Sequence, residues 1–251
     1  MAPEPAARPG IREIYLRTRK PQEPWWNQWV SRPMAAPLVA LLLPTGVTPN
    51  QVTFASAAVA LGADAVLLLW RGWHGLLVAA LLVQLAFVLD CVDGQLARIR
   101  GTASAVGGLL DFLMDEIKAV CLVAAVAGRL AWQHLEGTGH GFRWTAPTWF
   151  AIGLAGLAVV CCGISLTTLM RRPEYLQAVS AGAPAPSSRP GPWRRAVALL
   201  EWAGRTVLHY PGWFWLPAIL DRIDLFLLPY LAAHLLHLGR AGLIVLWRLG
   251  R

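Results

Sequence analysis

The sequence is poor in charged residues. Only 14% of its 251 residues are Asp, Glu, Lys or Arg, whereas 56% are hydrophobic. A soluble domain carries roughly 25% charged residues. The composition therefore argues against a soluble globular protein and indicates a polytopic membrane protein.

Cysteine is also scarce and is not arranged for chemistry. The four cysteines lie in or beside apolar runs, and none has the CxxC spacing of a zinc or redox site. The chain is far too long to be a disulfide-stapled miniprotein. We interpret as core residues Cys91, Cys121, Cys161 and Cys162. The first 30 residues are polar, basic and rich in proline, so we expect no signal peptide there.

Long apolar runs are what the sequence does have. A lipid-spanning helix needs about 20 mostly apolar residues. The candidate spans are Val52–Trp70, Leu76–Val92, Val106–Trp132, Trp149–Met170, Val197–Leu220 and Phe226–Trp247. Pro211 and several polar residues weaken the fifth of these.

A tryptophan-rich stretch precedes the first span. Pro24–Leu43 combines tryptophans, an arginine and a short apolar run, which is typical of a helix lying in the membrane interface. The predicted fold is an all-α integral membrane protein with six transmembrane helices preceded by an N-terminal interfacial amphipathic helix. Residues 1–45 form the cytoplasmic N-terminal segment with that helix, and residues 46–251 form the membrane domain.

The net charge of +8 comes mostly from clustered arginines. They concentrate in the N-terminal segment, in the loops after the second and fourth spans, and at the C-terminus. We interpret them as cytoplasmic topology signals rather than as a nucleic-acid surface. This places both termini and a linker over residues 171–195 in the cytoplasm, with an active site facing the cytoplasm.

Four aspartates stand between two apolar runs, in the stretch LDCVDGQLARIRGTASAVGGLLDFLMDEI. Asp90 and Asp93 share one helix face, and Asp111 and Asp115 share a face of the next helix. The glycine and threonine at residues 101–102 can turn the chain between the two helices. The carboxylates then converge, and such a cluster needs cations because like charges repel strongly in a low dielectric.

Carboxylate oxygens suit Mg²⁺, Mn²⁺ or Ca²⁺, and two divalent ions would balance four aspartates. Gly94, Ala97 and Gly107 leave that surface open to a bulky ligand, and Arg98 is suited to binding a phosphate. Metals, an arginine and accessible backbone together suggest a pyrophosphate ligand.

The segment from Asp90 to Asp115 reads D-x2-D-G-x2-A-R-x8-G-x3-D-x3-D. It resembles, at every defined position, the signature of the CDP-alcohol phosphotransferase family, also called CDP-alcohol phosphatidyltransferases. The signature covers residues 90–115. The segment Thr48–Thr53 and the six-span layout are weaker similarities.

The resemblance implies an enzyme that transfers a substituted phosphate from a CDP-linked donor to an alcohol and releases CMP. It implies that two Mg²⁺ or Mn²⁺ ions are held by Asp90, Asp93 and Asp111. It assigns Asp115 as the general base, which can also contact a metal. The CDP site would be lined by Gly94, Ala97, Arg98, Gly107, Asn50 and Thr53.

Several functions remain open at this point. The donor expected first is CDP-diacylglycerol, with inositol phosphate, glycerol phosphate or serine as acceptor, in phospholipid biosynthesis. The alternatives are a CDP-choline or CDP-ethanolamine donor with a lipid alcohol, or a polar donor with a polar acceptor. A divalent-cation transporter is the non-enzyme alternative. The resemblance also implies a homodimer. Lys118 could neutralise a carboxylate or extend to the membrane surface, and we favour the membrane surface.

Overall fold

A computed structural model describes residues 9–20, 23–180, 202–204 and 206–249. The helices are α1 Ile11–Thr18, α2 Arg32–Leu42, α3 Pro49–Leu69, α4 Trp73–Arg100, α5 Ala105–Glu136, α6 Ala146–Met170, α7 Pro173–Ser180, α8 Trp215–Ile219 and α9 Asp224–Leu249. A π-helical turn, Asn27–Ser31, leads into α2, and a 3-10 turn, Tyr210–Gly212, precedes α8. No strand occurs among the described residues, so the all-helical prediction is confirmed.

Among the described residues, four helices are long and apolar enough to cross a membrane. They are α3, α4, α6 and residues Asp224–Arg248 of α9, and they coincide with the first, second, fourth and sixth predicted spans. The protein is therefore an integral membrane protein. The third predicted span lies within the 32-residue helix α5, which is not among those four and which carries Asp111, Asp115, Glu116, Lys118 and Arg129. The count of six spans is not confirmed.

The fifth predicted span, Val197–Leu220, lies only partly within the described residues, since residues 197–201 and 205 fall outside them. In the described part of this predicted span, a 3-10 turn at Tyr210–Gly212 takes the place of a continuous α-helix. Pro211 has no amide hydrogen with which to continue an α-helix. Most of the predicted linker over residues 171–195 also falls outside the description. Its first part forms α7.

The stretch predicted as an interfacial helix, Pro24–Leu43, is realised as the π-helical turn followed by α2. Helix α1 was not predicted. Its Ile14 is fully buried in a hydrophobic cluster whose other buried members are Ala35, Ala36, Val39, Val52, Val88, Cys91, Val92 and Leu96. The N-terminal segment therefore packs onto the residues of α2, α3 and α4 that surround the signature.

The chain divides into two compact units. The first comprises Met1–Val66 and Val78–Lys118, and the second comprises Leu67–Leu77 and Ala119–Arg251. In the second unit α6 packs against α9 at Gly156, where an added Cβ would lie 2.7 Å from the Leu231 side chain. Also in this unit, the buried Arg129 guanidinium donates hydrogen bonds to the carbonyls of Leu67, Trp70, Arg71 and Gly72.

Two local signals fix the start of α3, beside the signature, and the end of α4, which carries its first part. Thr48 and Gln51 cap α3 reciprocally, because each side chain accepts a hydrogen bond from the other residue's amide. Gly101 ends α4 with a φ of +66°. The amide of Thr102 then donates to the carbonyl of Ala97, which closes a Schellman motif. This turn lets α5 begin at Ala105, close to the acidic end of α4.

Candidate active site

Three of the four signature aspartates lie together. Asp90 and Asp93 are one turn apart on α4, and Asp111 lies on the second turn of α5. One carboxylate oxygen of each lies within 4.8 Å of the others. Oxygens at this separation can share a single cation, so this trio is the acidic centre of the site.

Asp115 lies outside that trio. Its Oδ1 is 2.7 Å from Nζ of Lys118, and its side chain is 52% exposed. The same ammonium lies 2.6 Å from Oδ1 of Asp90, and the Lys118 side chain is only 6% exposed. The expectation that Lys118 extends to the membrane surface is therefore wrong. Two carboxylates attract the ammonium inward, where it offsets part of the negative charge.

A cavity of about 580 Å³ opens beside the acidic trio. It is lined by nine of the ten residues that the sequence assigned to the site, and Asp115 is the one outside the lining. The nine are Asn50, Thr53, Asp90, Asp93, Gly94, Ala97, Arg98, Gly107 and Asp111. The cavity is large enough for a nucleotide-sized ligand.

At two places in the cavity wall, a glycine leaves room for neighbouring polar groups. A Cβ at Gly94 would lie 3.3 Å from Nη2 of Arg98, so the missing side chain leaves room for the guanidinium to fold back along α4. A Cβ at Gly107 would lie 3.3 Å from Oγ of Ser104 and 3.7 Å from Oδ1 of Asn50. Both positions leave polar groups, rather than carbon, facing the space.

Helix α3 supplies polar groups from the other side. The hydroxyl of Thr53 donates a hydrogen bond of 2.5 Å to Oδ2 of Asp93 and is buried. Asn50 lies one turn earlier, at the cavity wall. The capped start of α3 therefore places both residues beside the signature.

The sequence reading missed four lining residues from the N-terminal segment, which are Lys20, Glu23, Asn27 and Arg32. The guanidinium of Arg32 forms a bidentate pair with Glu23, and both side chains are nearly buried. Arg32 is one of the N-terminal arginines that the charge pattern marks as topology signals. Nothing in the spacing connects these residues with a signature that begins 58 to 70 positions later, although Glu23 is a rare acid in a basic stretch.

The side chains present fit a divalent metal. Oδ1 of Asp111 is buried and has no hydrogen-bond partner among the described residues, and the same is true of Nε of Arg98. A buried polar atom without a partner is costly and indicates a missing ligand. Carboxylates are the preferred ligands of Mg²⁺ and Mn²⁺, and a guanidinium suits a phosphate.

The apolar helices and the carboxylate trio beside the cavity define the class of this protein. It is an integral membrane protein with a candidate divalent-metal site. The family model for CDP-alcohol phosphatidyltransferase matches residues 46–200, which is more than half of the chain. The protein therefore belongs to the CDP-alcohol phosphatidyltransferase family, and the family inferred from the signature is confirmed.

Two curated relatives share part of the chain. A phosphatidylinositol phosphate synthase of Corynebacterium glutamicum is 36% identical over 98 residues, which are 39% of this chain and 43% of the relative. An archaetidylinositol phosphate synthase of Pyrococcus horikoshii is 28% identical over 122 residues, 48% of this chain and 63% of the relative. The matches thus span less than two thirds of either relative.

Among solved structures, the chain is similar to the crystal structure of Mycobacterium tuberculosis phosphatidylinositol phosphate synthase with CDP-DAG bound. The sequence identity is 20% and the TM-score is 0.45, and the match covers 86% of this chain and 92% of that one.

Proposed function

We propose that the protein is an integral membrane transferase of phospholipid biosynthesis. It moves a substituted phosphate from a CDP-linked donor, CDP-diacylglycerol, to an alcohol and releases CMP. The observation that carries this proposal is the position of the acidic trio. Three carboxylates of the family signature line one cavity together with Arg98, whose Nε lacks a partner among the described residues.

Asp90, Asp93 and Asp111 would hold the divalent ions, two Mg²⁺ or Mn²⁺ in all, with Asp115 able to contribute a further oxygen. When bound, such ions stabilise negative charge on a phosphoryl group and on its leaving group. The carboxylates supply the charge that retains them, and Thr53 fixes the orientation of Asp93 through its hydrogen bond.

The chain's own groups bind the donor and move the proton. Arg98 would bind a phosphate oxygen of the donor, and Gly94, Ala97, Gly107 and Asn50 would form the walls against which the nucleotide lies. Asp115 accepts the proton of the acceptor hydroxyl while the oxygen of that hydroxyl attacks the lipid-linked phosphorus. The bond from that phosphorus to the bridging oxygen of the pyrophosphate breaks, and the electron pair leaves on CMP.

The acceptor is best sought among phosphorylated polyols. Both curated relatives are named as inositol phosphate lipid synthases. This supports inositol phosphate ahead of glycerol phosphate or serine. Lys20, which lines the same cavity, adds positive charge for a phosphorylated substrate, whereas Arg32 is already paired with Glu23.

We also propose the six-span topology. Helix α5 and the region of Val197–Leu220 would add two crossings to the four apolar helices, and the chain would associate as a homodimer. The clusters of arginine place both termini and the cavity on the cytoplasmic side by the positive-inside rule.

The test is a CMP-release assay on protein purified in detergent and returned to liposomes. CDP-diacylglycerol is offered with inositol phosphate, glycerol phosphate or serine, and the product is identified by lipid mass spectrometry. We expect Mg²⁺- or Mn²⁺-dependent CMP release with one acceptor. CMP release only with CDP-choline or CDP-ethanolamine and a lipid alcohol would reverse the donor assignment, and metal flux without CMP release would favour a transporter.

A further inference from the structure

Lys118 stands inside the acidic cluster but outside the family signature, which ends at Asp115. We propose that Lys118 is a positioning residue for the transfer reaction. It pairs with the Asp115 carboxylate and so limits the share of that carboxylate in metal binding, which keeps Asp115 available as a base. This inference rests on the proposed function, because it concerns the same site.

The contacts of the ammonium account for its three donors. Nζ lies 2.6 Å from Oδ1 of Asp90, 2.7 Å from Oδ1 of Asp115 and 3.4 Å from Oγ of Ser56. Ser56 in turn donates its own hydrogen to the carbonyl of Ala86, so its oxygen faces the ammonium as an acceptor. Contacts with one residue each of α3, α4 and α5 fix the position of the Lys118 ammonium.

Burial makes that arrangement consequential. The Lys118 side chain is 6% exposed, and a buried ammonium is costly unless carboxylates and hydrogen bonds surround it. The Lys118 ammonium is therefore stable in this position only together with the carboxylates that it pairs with. A lysine also offers a compact charge with three donors, whereas the planar fork of an arginine would reach the two carboxylates in a different geometry.

The charge distribution separates two roles among the four aspartates. Asp90, Asp93 and Asp111 have oxygens within 4.8 Å of one another, and Asp115 is not in that group. Asp115 is instead paired with the ammonium of Lys118, three residues further along α5. A divalent ion attracted by the trio would also attract Asp115, and the ammonium competes for that carboxylate.

The test compares Lys118→Met and Lys118→Arg with the wild type in liposomes. Mn²⁺ binding is followed by electron paramagnetic resonance on purified protein, and kcat and the KM for CDP-diacylglycerol by CMP release. Because general-base catalysis contributes about 10²–10⁴-fold, we expect Lys118→Met to lower kcat by at least about tenfold. The donor KM should stay unchanged and Mn²⁺ should bind more tightly than in the wild type. Lys118→Arg, which keeps the cation, should recover part of kcat.

Arg129 offers a matched control, because it is a second buried cation of α5 whose hydrogen bonds go to backbone carbonyls. Arg129→Lys should lower the melting temperature and leave kcat and Mn²⁺ binding per folded protein unchanged. If Lys118→Met loses kcat, donor affinity and Mn²⁺ affinity together, its role is structural and the proposal is overturned. Unchanged kcat in Lys118→Met would overturn it too.

The two readouts separate this proposal from the function on which it rests. A wild type that binds Mn²⁺ but releases no CMP from any donor contradicts the proposed function. In that case tighter Mn²⁺ binding by Lys118→Met would still support competition between Lys118 and the metal for Asp115, and equal or weaker binding would contradict it. A wild type that binds no Mn²⁺ overturns both.

Discussion

Thr53 and Asp93 join α3 to α4 at the acidic centre of the site. The Thr53 hydroxyl donates to Oδ2 of Asp93 over 2.5 Å, and both residues are buried. The bond holds a carboxylate that belongs to the acidic trio. A group that orients a metal ligand in this way contributes to metal affinity without touching the metal.

Replacing Thr53 by valine should therefore weaken metal binding. Loss of such a supporting hydrogen bond typically costs about 10–100-fold in metal affinity or activity. We expect the Mn²⁺ concentration for half-maximal CMP release to rise within that range in Thr53→Val. The matched variant Thr53→Ser keeps the hydroxyl and should behave like the wild type. Equal metal requirements in the valine and serine variants would show that the bond does not orient Asp93.

Asp115→Asn should abolish turnover and leave the donor bound. Asparagine preserves the shape of the side chain but cannot accept the acceptor's proton, and general-base catalysis is worth about 10²–10⁴-fold. Donor binding should persist because Asp115 is not among the residues lining the cavity. CMP release and calorimetric titration with CDP-diacylglycerol measure the two quantities separately. Lost donor binding with normal chemistry on the residual complex would refute the role of base.

The signature could be recognised from the sequence because it is formed by residues that are close together in the chain. Asp90 and Asp93 share a helix face by their spacing, and the Gly101 turn follows from the conformational freedom of glycine. Four apolar runs likewise correspond to the four helices long enough to span a membrane. Each of these features is determined by residues close together in the chain.

What the sequence did not reveal depends on distant contacts. Helix α1 is only eight residues long and lies in a polar, basic stretch, and its place is fixed by burial of Ile14. The pairing of Arg32 with Glu23 and the inward turn of Lys118 depend on which groups tertiary packing brings near. A lysine beside an apolar run looks the same in sequence whether it extends outward or pairs inside.

Gly101→Ala should destabilise the protein more than Gly101→Asn. Gly101 has a φ of +66°, which costs a residue with a Cβ roughly 1–2 kcal/mol, although asparagine tolerates it better. Apart from its chain neighbours, no atom of the described residues lies within 4 Å of a Cβ added there, so the strain is in the backbone. Melting followed by intrinsic tryptophan fluorescence in detergent compares the two variants. An alanine variant as stable as the asparagine one would contradict this account of the turn.

Gly94→Ala should weaken donor binding although alanine favours the helix. The added Cβ would lie 3.3 Å from Nη2 of Arg98, so the guanidinium must move. Hydrogen bonds to charged groups contribute about 1.5–3 kcal/mol, so a misplaced guanidinium predicts a loss of roughly tenfold or more in affinity for CDP-diacylglycerol. Gly62→Ala is the matched control, because Gly62 lies within α3 and its Cβ would meet no atom within 4 Å. Both variants should gain helix stability, about 1 kcal/mol each. Only Gly94→Ala should lose donor affinity in a calorimetric titration, and equal affinities in the two variants would show that Arg98 does not bind the donor from this position.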